Sequence, residues 1–335
     1  MRYVKMNLGL SADVLKAGLI TAGLMLPYGL AGAQSFPAKP VKIVVPWSAG
    51  SSADVVTRLV SSAMGVKLRG TFVVENKIGA TGAIGANSVA TSPADGYTLL
   101  SVANVYIMGL ALQGKPFDFK NEWASIGMMA LPASVLVVNP KAMPGVKDFS
   151  SLGAFAKANP NMEINYGSSG TGSRSHLAMF MLSKRLGLNS THIPYKGQAQ
   201  ATTDLVAGRL SAMILDYGAN KSQIAAGAVL PIMVVMPKRL SDLPGVPVAR
   251  ELGLQELESM NTTFGLVAPK GTPTAITNRL SDLVRDAVAE REVQEDLRKF
   301  GNEPQYMDSA TYGASLDDLY GKILKIVQEN GIKPD

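Results

Sequence analysis

The stretch Val41-Lys42-Ile43-Val44-Val45-Pro46-Trp47-Ser48-Ala49-Gly50-Ser51-Ser52-Ala53-Asp54-Val55-Val56 carries the pattern that decides the fold. Its first five residues are a β-branched run, which reads as a strand. Residues 46–54 form a turn of small and polar residues. Val55, Val56, Leu59, Val60 and Ala63 then recur at helical spacing. Ser51 and Asp54 stand three apart, as in a capping box with Asp in place of Glu. A strand thus feeds a polar turn that opens a helix.

The same unit recurs along the chain. Residues 72–74, 97–102 and 134–138 read as strands, and Gly79, Gly82 and Gly85 punctuate a loop leading into 86–90. Phe149, Leu152 and Phe155 mark a helix. In the second half, 164–166 enters the turn 167–175, and Leu177, Phe180 and Met181 follow on a helix that Gly187 caps. Residues 202–207 read as a helix stopped at Gly208, and 210–215, 230–236 and 263–268 as strands. Thr272-Pro273 reads as a cap with Pro at the first helical position, opening one long helix closed by Gly301. Leu316, Leu319, Ile323 and Ile326 give the last helix one apolar stripe. Alternating strands and helices imply parallel or mixed sheets covered by helices, an α/β class, and the length suits two such domains. No Ser/Gly linker separates them, so the backbone is expected to cross inside strands near 134–139 and 261–268. That gives a discontinuous first domain, 34–134 plus 262–335, and a second domain, 135–261.

Composition narrows the chemistry. The chain has 335 residues, 47% apolar and 17% charged, with a formal charge of +6. Disorder is excluded, and so is the dense basic stripe of a nucleic-acid binder. Cysteine is absent and there are two histidines, which excludes disulfides, thiol nucleophiles and Cys- or His-rich metal sites. Asp54 and Asp216 lack the neighbours of a metal cluster, and no cofactor is expected. Arg2, Lys5 and Lys16 precede an uncharged stretch from Ala17 that ends in Ala31-Gly32-Ala33. This reads as an export signal over 1–33, cleaved before Gln34.

Two turns carry the functional signal. Each follows a strand and opens a helix, the position where open α/β sheets bind ligands. A helix N-terminus presents unpaired N–H groups and a partial positive charge, so it favours anions. Small residues let backbone approach a ligand, and Ser and Thr add hydroxyls. Two such turns facing across a cleft would hold one anion between two domains. Catalytic motifs fit less well. Residues 79–85 do not spell a dinucleotide fingerprint, and there is no phosphate loop or nucleophile elbow. His176 beside Ser173 and Ser175 is a candidate general base, or else a capping and packing residue. His192 reads as a strand-end residue.

In order along the chain, 37–46 (PAKPVKIVVP), 73–82 (VVENKIGATG), 93–100 (PADGYTLL), 165–177 (NYGSSGTGSRSHL), 193–197 (IPYKG) and 265–273 (GLVAPKGTP) resemble the extracytoplasmic solute receptors of the tripartite tricarboxylate transporter family, the Bug receptors. The resemblance spans the chain beyond the export signal. It implies a periplasmic binding protein of the type II kind, with two α/β domains joined by two crossover strands around a ligand cleft. It further implies a monomer that binds a small organic carboxylate and serves a large and a small membrane subunit. It maps the first binding loop onto Trp47, Ser48, Ala49, Gly50, Ser51 and Ser52, and the second onto Ser168, Ser169, Gly170, Thr171, Gly172 and Ser173. Asn104 and Asp216 join the expected ligand contacts.

Three positions depart from the family pattern. Trp47 replaces Phe and can stack on a ligand or narrow the pocket. Arg174 replaces a small residue and is either the partner of a second, distal carboxylate or a solvated helix-start arginine. Tyr217 replaces Asn after Asp216, which can accept from a ligand amine or hydroxyl, or brace the second loop. Two other functions stay open: a receptor that reports occupancy to a sensor protein, and, remotely, a periplasmic hydrolase using Ser169 or Ser173 with His176.

Overall fold

The structure is a computed structural model that describes Met1, Tyr3, residues 36–79 and residues 82–333. The export signal expected over 1–33 lies outside the described residues, apart from Met1 and Tyr3. The described residues from Lys39 onward form one compact unit.

Its strands are β1 (Val41–Val45), β2 (Phe72–Asn76), β3 (Thr98–Ala103), β4 (Trp123–Pro132), β5 (Ser134–Val138), β6 (Ile164–Ser168), β7 (Ser190–Pro194), β8 (Ala212–Asp216), β9 (Leu230–Val234), β10 (Phe264–Pro269) and β11 (Asn302–Met307). They form two sheets, ordered β11-β4-β10-β3-β1-β2 and β7-β6-β8-β5-β9. In the first, β1 runs parallel to β2 and β3, and β10 runs antiparallel to β3 and β4. In the second, β6 runs parallel to β7 and β8, and β5 antiparallel to β8 and β9. Helices cover both sheets, so central strands such as β1 are apolar on both faces; Val41, Ile43, Val44 and Val45 are fully buried.

The register fixes how the chain passes from one sheet to the other. Phe264 pairs with both Ala103 and Ala130, so β3 and β4 end at the same edge of the first sheet. Ser134 pairs with Asp216, so β5 begins at the edge where β8 ends. The one residue between β4 and β5, Ala133, therefore joins the carboxyl edge of one sheet to the carboxyl edge of the other. Its N–H donates to Gly301 O (3.1 Å), and its carbonyl accepts from Tyr217 N–H (2.7 Å). Gly218 and Gly301 touch beside it. A Cβ on Gly218 would stand 2.4 Å from Gly301 Cα. The return connection, 235–263, leaves from the same edge: Val235 N–H donates to Ser134 O at 2.8 Å.

Several expected elements differ in detail. Thr272 does not cap a helix; its hydroxyl donates to Pro269 O (2.8 Å), and Pro273, in extended conformation, takes the N-cap position of helix Thr274–Val288. The single long helix is two, because Glu290 turns extended and a second helix, Arg291–Lys299, restarts after it. On helix Ser309–Asn330 the buried stripe is Leu316, Leu319, Ile323 and Val327, with Ile326 turned partly outward. Strands β4 and β11 and the helix Val105–Leu112 were not legible.

The glycine contact yields a stability test. Gly218→Ala drives a methyl into backbone that cannot rotate away, and is expected to cost about 2 kcal/mol or more in urea unfolding. Gly321→Ala, on an exposed helical turn with open space around it, should instead gain up to about 1 kcal/mol. Equal midpoints for the two variants would refute the close packing.

Candidate functional site

The first glycine- and serine-rich loop leaves β1 and enters helix Ser52–Leu68. Ser51 is the N-cap, its hydroxyl accepting from Asp54 N–H at 3.4 Å. The reciprocal arm of the expected capping box lands one residue earlier: the Asp54 carboxylate accepts from Gly50 N–H at 2.9 Å. Gly50 allows this because its φ of +78° is left-handed, a conformation costly for other residues. Asp54 is buried beneath the loop and also accepts from Arg58 Nε (3.0 Å) and Asn76 Nδ2 (2.8 Å). Asn76 Nδ2 in turn donates to Trp47 O at 2.9 Å. Burial pushes the Asp54 carboxyl up, but the bonds from Arg58, Gly50 and Asn76 outweigh it and hold it below the ordinary carboxylate value. The braced loop presents Ser48, Ala49 and Gly50 to solvent. The Trp47 ring lies against Gly82, with its Nε1 buried and without a protein partner.

The second loop leaves β6 and enters helix Arg174–Leu186, with Ser173 as N-cap. It is shaped from below by both histidines of the chain. Gly172 N–H donates to His176 Nδ1 at 2.9 Å, and Ser168 Oγ lies 2.6 Å from His192 Nε2. The two imidazoles stack at 3.7 Å with 8° between their planes. Accepting from Gly172 keeps His176 Nδ1 unprotonated. His176 is thus a loop-bracing, packed residue, and His192 lies within β7 rather than at its end. Ser168 and Gly172 are buried, while Ser169 is exposed and Gly170, Thr171 and Ser173 are half-buried. Gly172 has a left-handed φ of +73°, and a Cβ there would also push the Leu112 side chain aside.

Beside this loop lies a cavity of about 610 Å³, lined by Gln198, Ala199, Thr202, Thr203, Val206, Asp216, Ala219, Asn220 and Gln223. Strand order explains its position. Loop 168–173 leaves the middle strand of β7-β6-β8, and the cavity walls follow the ends of the two outer strands. Of these wall residues, sequence reasoning named only Asp216. Among the described residues, no group of three or more His, Asp or Glu side chains could hold a metal, and no helix is long and apolar enough to cross a membrane.

The family model for the tripartite tricarboxylate transporter family receptor matches residues 56–332. The chain belongs to this receptor family. It is 30% identical over 331 residues to BugT of Bordetella pertussis, covering 98% of this chain and 99% of BugT. Two solved structures are similar along their whole length. The R. palustris protein Rpa4515 with adipate is 28% identical, with a TM-score of 0.70, and the match covers 90% of this chain. MatC of Rhodopseudomonas palustris with bound malate is 25% identical, with a TM-score of 0.67, and the match covers 87% of this chain. The fold is that of the periplasmic binding proteins, and receptors of this family such as BugD, 28% identical with a TM-score of 0.68, are periplasmic.

Within the receptor, two residues, Arg174 and Asn104, behave differently from expectation. Arg174 is not solvated. Its side chain is buried, donating to Ser134 Oγ and pairing with Asp216 Oδ1 at 2.5 Å. Asn104 is buried and divides its amide between the return connection's backbone atoms: Nδ2 donates to Asn261 O (2.8 Å) and Oδ1 accepts from Thr263 N–H (3.0 Å). Tyr217 turns its hydroxyl to Asp242 at 3.1 Å. Burial and that bond push its phenol up to about 12.

The Asp54 brace makes a pH prediction. A carboxylate held below its ordinary value stabilises the fold above that value, and the contribution is lost as pH falls through the lowered one. Asp54→Asn is expected to cost about 1–3 kcal/mol at pH 7 and to flatten the loss of stability between about pH 5 and pH 2. An acid limb as steep in the variant as in the wild type would contradict the brace.

Proposed function

We propose that this receptor captures a small organic carboxylate between two lobes, 34–134 plus 262–335 and 135–261, and passes it to the large and small membrane subunits of a tripartite transporter. It does so after export and cleavage following Ala33. The reading rests above all on two braced glycine–serine loops at the carboxyl edges that Ala133 brings together. Each loop opens a helix, and each exposes a serine, Ser48 on the first and Ser169 on the second. Ser48, Ala49, Gly50 and Ser51 on one side, and Ser169, Gly170, Thr171 and Ser173 on the other, would share the ligand's carboxylate. Helix dipoles favour that charge without a dedicated cation. The one arginine at the second loop is already neutralised by Asp216, which fits a site that binds through backbone. The family match and the carboxylates held by the two structural neighbours support the ligand class. Closure would be a hinge motion about the two connections, with the ligand as the contact between lobes.

Titration calorimetry against mono-, di- and tricarboxylates tests the reading. Binding between nanomolar and micromolar, without chemical turnover, is expected. Binding of neutral or cationic solutes alone would refute it. Gly170 has a φ of +124° and donates its N–H to Ser168 Oγ at 3.1 Å, neither of which proline allows. Gly170→Pro should lower affinity at least tenfold with unchanged circular dichroism; unaltered affinity would remove the second loop from the site.

A further inference from the structure

We infer that the far end of the ligand is a hydrogen-bond donor, a hydroxyl or an ammonium, and not a second carboxylate. The inference builds on the proposed function, which supplies the anion for the near end. Asp216 ties the cavity to the second loop, since it lines the cavity and pairs with Arg174, the residue that follows the loop, so a ligand anchored on loop 168–173 that extends toward Asp216 reaches it.

The wall of that cavity is chemically one-sided. Asp216 is the one charged residue among those lining it, and no Lys or Arg joins it there. The rest of the polar lining is neutral, from Gln198, Thr202, Thr203, Asn220 and Gln223. The Asp216 side chain remains a third exposed. Arg174 reaches the same carboxylate from the buried side and is held there by Ser134. Two consequences follow from this geometry. The arginine's charge is matched before any ligand arrives, so no surplus positive charge awaits a distal carboxylate. The accessible part of Asp216 is acceptor-only, so a distal carboxylate would meet repulsion and a distal donor would meet a partner. A site built this way rejects ligands that cannot satisfy it more strongly than one that depends on shape alone.

Calorimetry on the purified receptor decides the matter with three unbranched series of four to six carbons: ω-hydroxy acids, ω-amino acids and α,ω-dicarboxylic acids. At the preferred length, an ω-hydroxy or ω-amino acid should bind at least tenfold tighter than the dicarboxylic acid. Asp216→Asn should cut that preference below threefold. A dicarboxylic acid binding equally well or tighter would overturn the inference while leaving the carboxylate reading intact. So would an undiminished preference in Asp216→Asn. Binding by none of the three series would overturn both. Should Asp216→Asn fail to fold, the wild-type ranking of the three series is decisive by itself.

Discussion

The passage of the backbone through Ala133 governs the rest of the molecule. One residue links two sheets, and register places it at the carboxyl edge of each. Both of its hydrogen-bonding groups are taken, one by each sheet's neighbouring segment. Because helices in α/β units begin where parallel strands end, this single join brings together the strand ends of both sheets. Had the chain crossed at the amino edge, the two glycine–serine loops would lie at opposite extremes of the body.

What surrounds those loops is more elaborate than the loops themselves. Small residues give backbone access, but small residues do not hold a shape. The shape comes from buried polar side chains beneath. Asp54, Arg58 and Asn76 hold the first loop, and His176, His192 and Ser168 hold the second. The first set pairs the Asp54 carboxylate with the Arg58 guanidinium and the Asn76 amide. The second uses imidazoles, of which His176 accepts from Gly172 N–H and His192 meets Ser168 Oγ. Much of the main-chain hydrogen bonding of both loops is spent inside them: Gly50, Ser51, Ser169, Gly170, Gly172 and Ser173 all donate to groups of their own loop or of the helix that follows it.

Sequence reading recovered the α/β class, the family, the two strand–turn–helix units and the N-cap of the first, because each is written locally in a run of adjacent residues. It lost what is written at long range. Strand β4 reads WASIGMMALP, rich in Met, Ala and Leu; buried along nearly its whole length, it shows no alternation that would betray a strand. Arg174 stands at the start of a helix, where solvent is the ordinary partner. Its actual partners, Ser134 and Asp216, are remote in sequence and meet only through β5–β8 pairing. Asn104 follows a strand as a ligand contact would, yet it ties down a segment more than 150 residues away. The stacking of the two histidines likewise needs the parallel alignment of β6 and β7 before it can be seen. The break at Glu290 falls between two segments of good helical character and has no Gly or Pro to announce it.

The contact between Gly218 and Gly301 has an evolutionary side. The join is built from peptide groups and two residues without side chains, so it makes no demand on the amino acids lining the cavity. Those residues belong mostly to the outward turns of helices 198–206 and 221–225 and to the segment between β8 and the second of them. On the proposed reading, drift at such positions would change which carboxylate fits while the join stayed as it was.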